Sequence, residues 1–247
     1  MRQKRIRMKC NRIVPAFLLL GMGFTGFAFA QSPELQQKIA EIKQAAAANK
    51  QALAQYTWVE QVTISLKGEQ KKQEHFQVKL GPDGKPQKQP LDQPQQPAAG
   101  SGDSGRRGGR LKEHVVEKKT EEYKDYAEQI KSLIAQYVPP DKDALQQAAQ
   151  KGNIALSPQS GADGQYRLAI TNYIKQGDNM TLVFDKARKA LASVTIATYL
   201  DDPKDAVNVK VDFTSEPTGL SHVASETING VSKQLTIAIQ NSNYRHL

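Results

Sequence analysis

The stretch Val207-Asn208-Val209-Lys210-Val211-Asp212-Phe213 alternates apolar and polar side chains without a break. Successive residues of an extended chain point to opposite faces, so a period of two makes a strand with one buried and one wetted face. The pattern repeats outward from this stretch. Towards the N-terminus, Leu191, Val194 and Ile196 precede the turn Asp201-Asp202-Pro203-Lys204-Asp205. Before them, Met180, Leu182 and Phe184 follow the turn Gly177-Asp178-Asn179, and Tyr166, Leu168 and Ile170 alternate with Arg167, Ala169 and Thr171. Towards the C-terminus, Pro217-Thr218-Gly219 turns the chain into a weaker strand, Val223 to Ile228. Asn229-Gly230 is the strongest short hairpin signal present, and leads into Leu235, Ile237 and Ile239. Residues 154–241 therefore read as an antiparallel meander whose strands pair in chain order.

The N-terminal half reads differently. Ser32-Pro33-Glu34 is a helix start, and Leu35, Ile39, Ile42, Ala46 and Leu53 mark one stripe of a helix over 33–54. At Tyr56 the period changes to two: Tyr56, Trp58, Val62, Ile64 and Leu66 share one parity. Lys67-Gly68-Glu69 turns into a second strand with Phe76, Val78 and Leu80. Residues 81–110, rich in Pro, Gly, Gln and Ser, read as a disordered insert within a single domain spanning 31–247. Helical spacing returns from Lys112 to Tyr137, with Tyr123, Tyr126, Ile130, Leu133, Ile134 and Tyr137 as its stripe. Asp141 can cap a shorter helix that Gly152-Asn153 ends.

About eight strands with one apolar face each must cover that face. Closure into a barrel would do so; three amphipathic helices instead favour an α+β fold, a curved antiparallel open β-barrel (half-barrel) meander with the helices on its concave side.

Composition bounds the function. The chain has 247 residues and a formal net charge of +9. Six of its 34 basic residues, and no acidic one, fall in residues 1–30, so residues 31–247 carry only +3. That is an ordinary surface, not a nucleic-acid footprint. The basic start, the apolar run Ile13 to Phe29 and the ending Ala28-Phe29-Ala30 form a secretory signal peptide cleaved after Ala30. The product is expected in the periplasm or secreted, with no integral membrane segment. Cys10, the one cysteine, leaves with the leader, so disulfides, thiol catalysis and Cys-based metal sites are excluded for the mature chain.

The order of leader, helix, Trp-containing strand, helical pair and long meander resembles the bacterial lipoprotein-localization-factor superfamily, over residues 33–80 and 112–241. Asn172-Tyr173, Tyr199-Leu200-Asp201-Asp202 and Asn243-Tyr244 look like stretches of exported bacterial proteins of that type. The resemblance implies an unclosed β-barrel holding helices, and a carrier of lipoproteins or lipids. Where such carriers have an Arg-Pro-x-x-Phe-Arg-Trp run, this chain has Gly81-Pro82-Asp83-Gly84-Lys85-Pro86 and the insert.

No catalytic motif emerges. His75, His114, His222 and His246 have no metal-ligand spacing, Ser221-His222 lacks a nucleophile-elbow context, and Asp201, Asp202 and Asp205 fit a turn. No cofactor is expected. The candidate site is an apolar cleft lined by Trp58, Glu60, Val62, Ile64, Phe76, Tyr126, Ile130, Leu133, Leu182, Phe184, Val194, Ile196, Val207, Val209, Val211, Leu235 and Ile237, either open to a ligand or filled by side chains. Glu60 breaks the pattern, because it shares parity with Trp58 and Val62. It lies at the sheet rim, is turned out by a bulge, or makes a polar contact to a ligand head group or a cationic helix side chain. The reading is a non-enzymatic exported protein that binds a lipid or lipidated partner; the alternative is a structural or interaction protein of the cell envelope with a filled core.

Intact mass of the exported protein should correspond to Gln31–Leu247. A mature product that retains residues 1–30 would make the chain a membrane-tethered protein.

Overall fold

The computed structural model describes residues 37, 40, 44, 47–91, 109–138, 142–161 and 163–247. The expected leader, most of the first helix and residues 92–108 of the insert lie outside them.

Residues 37, 40, 44 and 47–53 are helical; the run 47–53 is α1. Two further helices, α2 (Gly109–Ile134) and α3 (Lys142–Gln150), follow. The strands are β1 (Tyr56–Leu66), β2 (Glu69–Leu80), β3 (Pro86–Pro90), β4 (Ile154–Pro158), β5 (Gln165–Thr171), β6 (Asn179–Asp185), β7 (Ala190–Tyr199), β8 (Ala206–Ser215), β9 (Ser221–Gly230) and β10 (Leu235–His246). They form one antiparallel sheet in the order β3-β2-β1-β10-β9-β8-β7-β6-β5-β4. All neighbours but one are also neighbours in the chain. The exception is β1 beside β10, from Tyr56 opposite His246 to Leu66 opposite Leu235. β3 and β4 are the two edges, so the sheet is open. The chain passes from one edge to the other through α2 and α3.

Local chemistry explains the hairpins. Lys67 and Gly68 both have positive φ, 54° and 79°, in the two-residue loop between β1 and β2. That is the backbone of the hairpin turns whose twist matches the flanking strands. At the end of α3 the N–H groups of Gly152 and Asn153 donate to the carbonyls of Ala149 and Ala148, with Gly152 at φ 72°. This left-handed stop satisfies carbonyls that the helix leaves open.

Three expectations need correction. First, the insert is not structureless throughout: Pro86–Pro90 forms β3, with Lys88 opposite Val78. It lacks any apolar alternation, and a five-residue edge strand draws its order from the ladder it joins. Second, Asn229-Gly230 is not a turn. Both are strand residues, opposite Thr236 and Leu235, and the chain reverses over Val231–Gln234. Third, the last strand does not stop at 241; its second half runs on along β1 to His246.

Gly230 is needed for a different reason. A Cβ placed there would come within 2.7 Å of Tyr126 and Ile130, so α2 crosses the sheet at a spot that admits no side chain. The stripe Tyr126, Ile130, Leu133, Ile134 and Tyr137 enters the main core with Val62, Leu168, Ile170, Leu182, Val194, Ile196, Val207, Val209, Val211, Leu235, Ile237 and Ile239. The helix is tethered at two points. The Tyr126 hydroxyl donates to Asp205 (2.9 Å) and accepts from Ser232 (3.1 Å), joining α2 to the β7–β8 and β9–β10 turns. Tyr137, past its end, bonds Asp178 and Thr198 at 2.5 and 2.7 Å. Asp178 in turn accepts the backbone N–H groups of Tyr173, Ile174 and Lys175. Burial first, and Asp178 second, hold the Tyr137 hydroxyl well above its ordinary pKa.

Gly230→Ala should lower unfolding free energy by about 1–3 kcal/mol, because Tyr126 and Ile130 are packed and one is pinned by hydrogen bonds. Chemical denaturation of the mature protein measures it; an unchanged midpoint would mean that α2 does not press on the sheet.

Candidate functional site

The β9–β10 ladder ends at Gln240 opposite Ser225. Beyond that pair β10 follows β1, while the first residues of β9 stay with β8. The sheet therefore forks, and a forked sheet leaves backbone groups without ladder partners. Side chains take them up. The Asn49 amide of α1 donates to the Ser221 carbonyl at 2.6 Å and accepts the Ser221 N–H at 2.8 Å. The Val223 carbonyl accepts from Asn241 Nδ2 at 3.1 Å and from the Tyr244 hydroxyl at 3.4 Å.

A bulge shapes the β10 side of the fork. Thr57 pairs with Arg245 and Val59 with Ser242, so Asn243 and Tyr244 together oppose Trp58. Asn243 takes the left-handed conformation, φ 56°, that such bulges use. The Tyr244 ring stacks on Trp58 at 5.5 Å between centroids and on His222 at 3.7 Å. His222 Nε2 lies 3.0 Å from Glu216. Under this stack sits a second, smaller core of Leu53, Trp58, Val78, Leu80 and Leu220, separate from the core beneath α2.

Buried charge lies at the fork. Glu60 is 4% exposed, between Asn241 on β10 and Phe76 on β2. It forms an ion pair with Lys88 of β3, and both side chains are 5% exposed. The Lys88 ammonium also stands 5.7 Å from the Phe76 ring centroid. Glu226, 3% exposed, lies opposite Val211 on β8 and Ile239 on β10. Its Oε1 is buried with no hydrogen-bond partner, as are Asn241 Oδ1 and Trp58 Nε1. Desolvation first, then the charge of Glu60, push the Glu226 carboxyl up to about 8, with Lys88 acting in the opposite direction. Burial, followed by the charges of Glu60 and Glu216, also raises the Tyr244 hydroxyl.

The expected cleft residues thus divide. Val62, Tyr126, Ile130, Leu133, Leu182, Val194, Ile196, Val207, Val209, Val211, Leu235 and Ile237 come together in the main core, with Ile64 packed at its margin. Trp58 joins the second core, and Phe76 touches both. Phe184 is buried but belongs to neither cluster, next to a register shift between Val183 and Phe184. Side chains of α2 occupy the face that the strand residues present. Glu60 points inward, neither at a rim nor turned out by the nearby bulge, and its cation comes from an edge strand, not from a helix. Asp205 serves Tyr126, and Asp202 accepts the Lys204 N–H, as turn residues.

Sequence reasoning missed Lys88, Glu226, Asn241 and Tyr244. Glu226 was findable, since it shares parity with Ile228 and so breaks the pattern as Glu60 does. Lys88 carried no signal inside a stretch read as disordered.

The elevated Glu226 pKa fixes a sign. Between about 4.5, its ordinary value, and about 8 the folded chain holds a proton that the unfolded chain releases. Its contribution to stability is full below about pH 4.5, falls through that window and is gone above about pH 8. Glu226→Gln keeps the neutral form at every pH. The variant should match the parent near pH 5 and melt ~5 °C higher near pH 8.5. Parallel pH-dependent melts that show no divergence would remove Glu226 as a buried titrating group.

Among the described residues no helix is long and apolar enough to cross a membrane. No family model matches the chain, and no curated protein matches it. Among solved structures, the chain is similar to a DUF1329 family protein from Desulfovibrio piger, with 12% identity and a TM-score of 0.37 over 84% of this chain and 92% of that one. It is also similar to a LolA superfamily protein from Nitrosomonas europaea, with 8% identity and a TM-score of 0.37 over 84% of this chain and 93% of that one.

Proposed function

We propose that this chain is an exported, non-enzymatic protein that binds a lipid or a lipidated partner along the inner face of its half-barrel sheet. The observation that carries the reading is the amphiphilic layout of that face. A broad apolar field under α2 adjoins a small buried polar group at the fork, where Glu226 Oε1, Asn241 Oδ1 and Trp58 Nε1 lack partners. An amphiphile has the same two parts: a tail that needs apolar surface and a head that needs hydrogen bonds. Leaving three buried polar atoms unmatched is costly for a core whose only task is packing. α2 covers the apolar field from one side and is held by hydrogen bonds at the sheet's turns, so a tail reaches the face by displacing the helix stripe. The expected periplasmic location follows from the leader pattern in residues 1–30.

One observation favours a second reading, a structural or interaction protein of the cell envelope. The strand residues beneath α2, Val194, Ile196, Val207, Val209, Val211, Leu235 and Ile237, are 0–3% exposed, so side chains already fill the face.

Trp58 is the single tryptophan and lies at the fork, which makes its fluorescence a local reporter. Vesicles of brominated phospholipid should quench it saturably, and organic extraction of mature protein purified without detergent should yield lipid by mass spectrometry. No quenching together with no extracted lipid would sink the lipid reading and leave the filled-core one.

A further inference from the structure

Among the described residues, the fork buries two acidic side chains, Glu60 and Glu226, and one lysine, Lys88. Glu60 has Lys88; Glu226 has no partner on Oε1 and is almost wholly buried. Phe76 faces the Lys88 ammonium, as an aromatic ring does when it supports a cation. The cation is delivered by an unusual element. β3 is a five-residue edge strand, bounded by Pro86 and Pro90, that pairs only with β2. Proline has no N–H to give to a ladder, and a short edge strand is among the least costly parts of a sheet to detach. Residues 87, 89 and 90 are exposed while Pro86 and Lys88 are half-buried, so Lys88 is the charged residue by which β3 reaches inward. Withdrawing it leaves Glu60 without its cation beside Phe76 and opposite Asn241, whose Oδ1 is a further acceptor, with Glu226 across β10 on the same inward parity.

We propose that Glu60 and Glu226 form a receptor for the ammonium head group of an amphiphile, and that the Lys88 side chain is a built-in stand-in that occupies it until β3 withdraws. The inference rests on the reading of the inner face as an amphiphile site and adds the chemistry of the head group. A cation entering beside Glu60 takes over the charge that Lys88 supplies there and that also acts on Glu226. The held-up Glu226 proton fits this arrangement, since burial first and the Glu60 charge second favour the neutral acid. An anionic head group meets the Glu60 carboxylate and is disfavoured.

The test has two arms, both on the mature full chain. Lys88→Ala removes three methylenes and an ammonium, which is the shape of propylammonium. The variant should melt lower than the parent, and propylammonium chloride should restore its melting temperature saturably, while sodium chloride at equal concentration does not. The double variant Lys88→Ala/Glu60→Gln should show no rescue. In the second arm, Trp58 quenching compares brominated phosphatidylethanolamine with brominated phosphatidylglycerol, on the parent and on Lys88→Met, which keeps an unbranched side chain one atom shorter and is the variant to use if the alanine form folds poorly. The ethanolamine lipid should bind more tightly than the glycerol lipid, and Lys88→Met should tighten it by about tenfold. Absence of saturable rescue overturns the ammonium receptor whatever the lipids do. Equal quenching by the two lipids overturns the head-group assignment. Rescue by propylammonium with no quenching by either lipid would leave the receptor standing for an amine and defeat the lipid reading instead.

Discussion

The antiparallel pairing of β1 with β10 is the contact on which the rest of the structure depends. It joins the first long strand to the last, and so attaches the N-terminal three-stranded ribbon to the C-terminal meander. Without it the chain would hold two smaller sheets, each with further unpaired edges. The pairing closes a loop of nearly the whole described chain, an entropic cost that grows only slowly with length and that the apolar face repays on being covered. It also sets where the interior charge falls, because Glu60 sits on β1 and Glu226 on β9, with β10 between them.

β10 cannot pair with β9 and β1 along its full length. The β9 ladder lapses after Gln240, and the β1 ladder continues through a bulge at Asn243-Tyr244. The fork is the geometric consequence, and its repair is local chemistry. Asn49 imitates a neighbouring strand by exchanging two hydrogen bonds with Ser221, which docks α1 against the gap. Tyr244, re-aimed by the bulge, fills the gap with a ring between Trp58 and His222. What side chains leave unmet at the fork is a short set of buried polar atoms, and these define the candidate head-group site.

Over the main core the helix is held differently. α2 needs a flat place to cross the sheet, and Gly230 provides it. Polar tethers at Tyr126 and, just past its end, at Tyr137 fix its direction, and the buried side chains between them, Ala127, Ile130, Leu133 and Ile134, are apolar. Hydrogen bonds at the rim with apolar contact between them suit an element that lifts as a unit. Detaching it would expose a continuous hydrophobic face.

Periodicity in the sequence determined most of the strands, the turn positions and the inward parity of Val194, Ile196, Val207, Val209, Val211, Leu235 and Ile237, because alternation and turn chemistry are local properties that each segment carries by itself. The apolar stripe from Tyr126 to Tyr137 and the left-handed stop of α3 were legible for the same reason, although Tyr123, expected in that stripe, is half-buried and outside the core. The odd carboxylate Glu60 was visible as a break in the pattern, but not its partner. Only the tertiary structure decided that β1 pairs with β10, since segments far apart carry no mark of one another. Only it showed that Gly230 makes room for a helix and is not a turn, because both uses ask for the same missing side chain. Lys88 took its place because a polar five-residue segment became an edge strand through the ladder beside it. Residue order set which side chains face inward; long-range pairing set which of the inward ones meet.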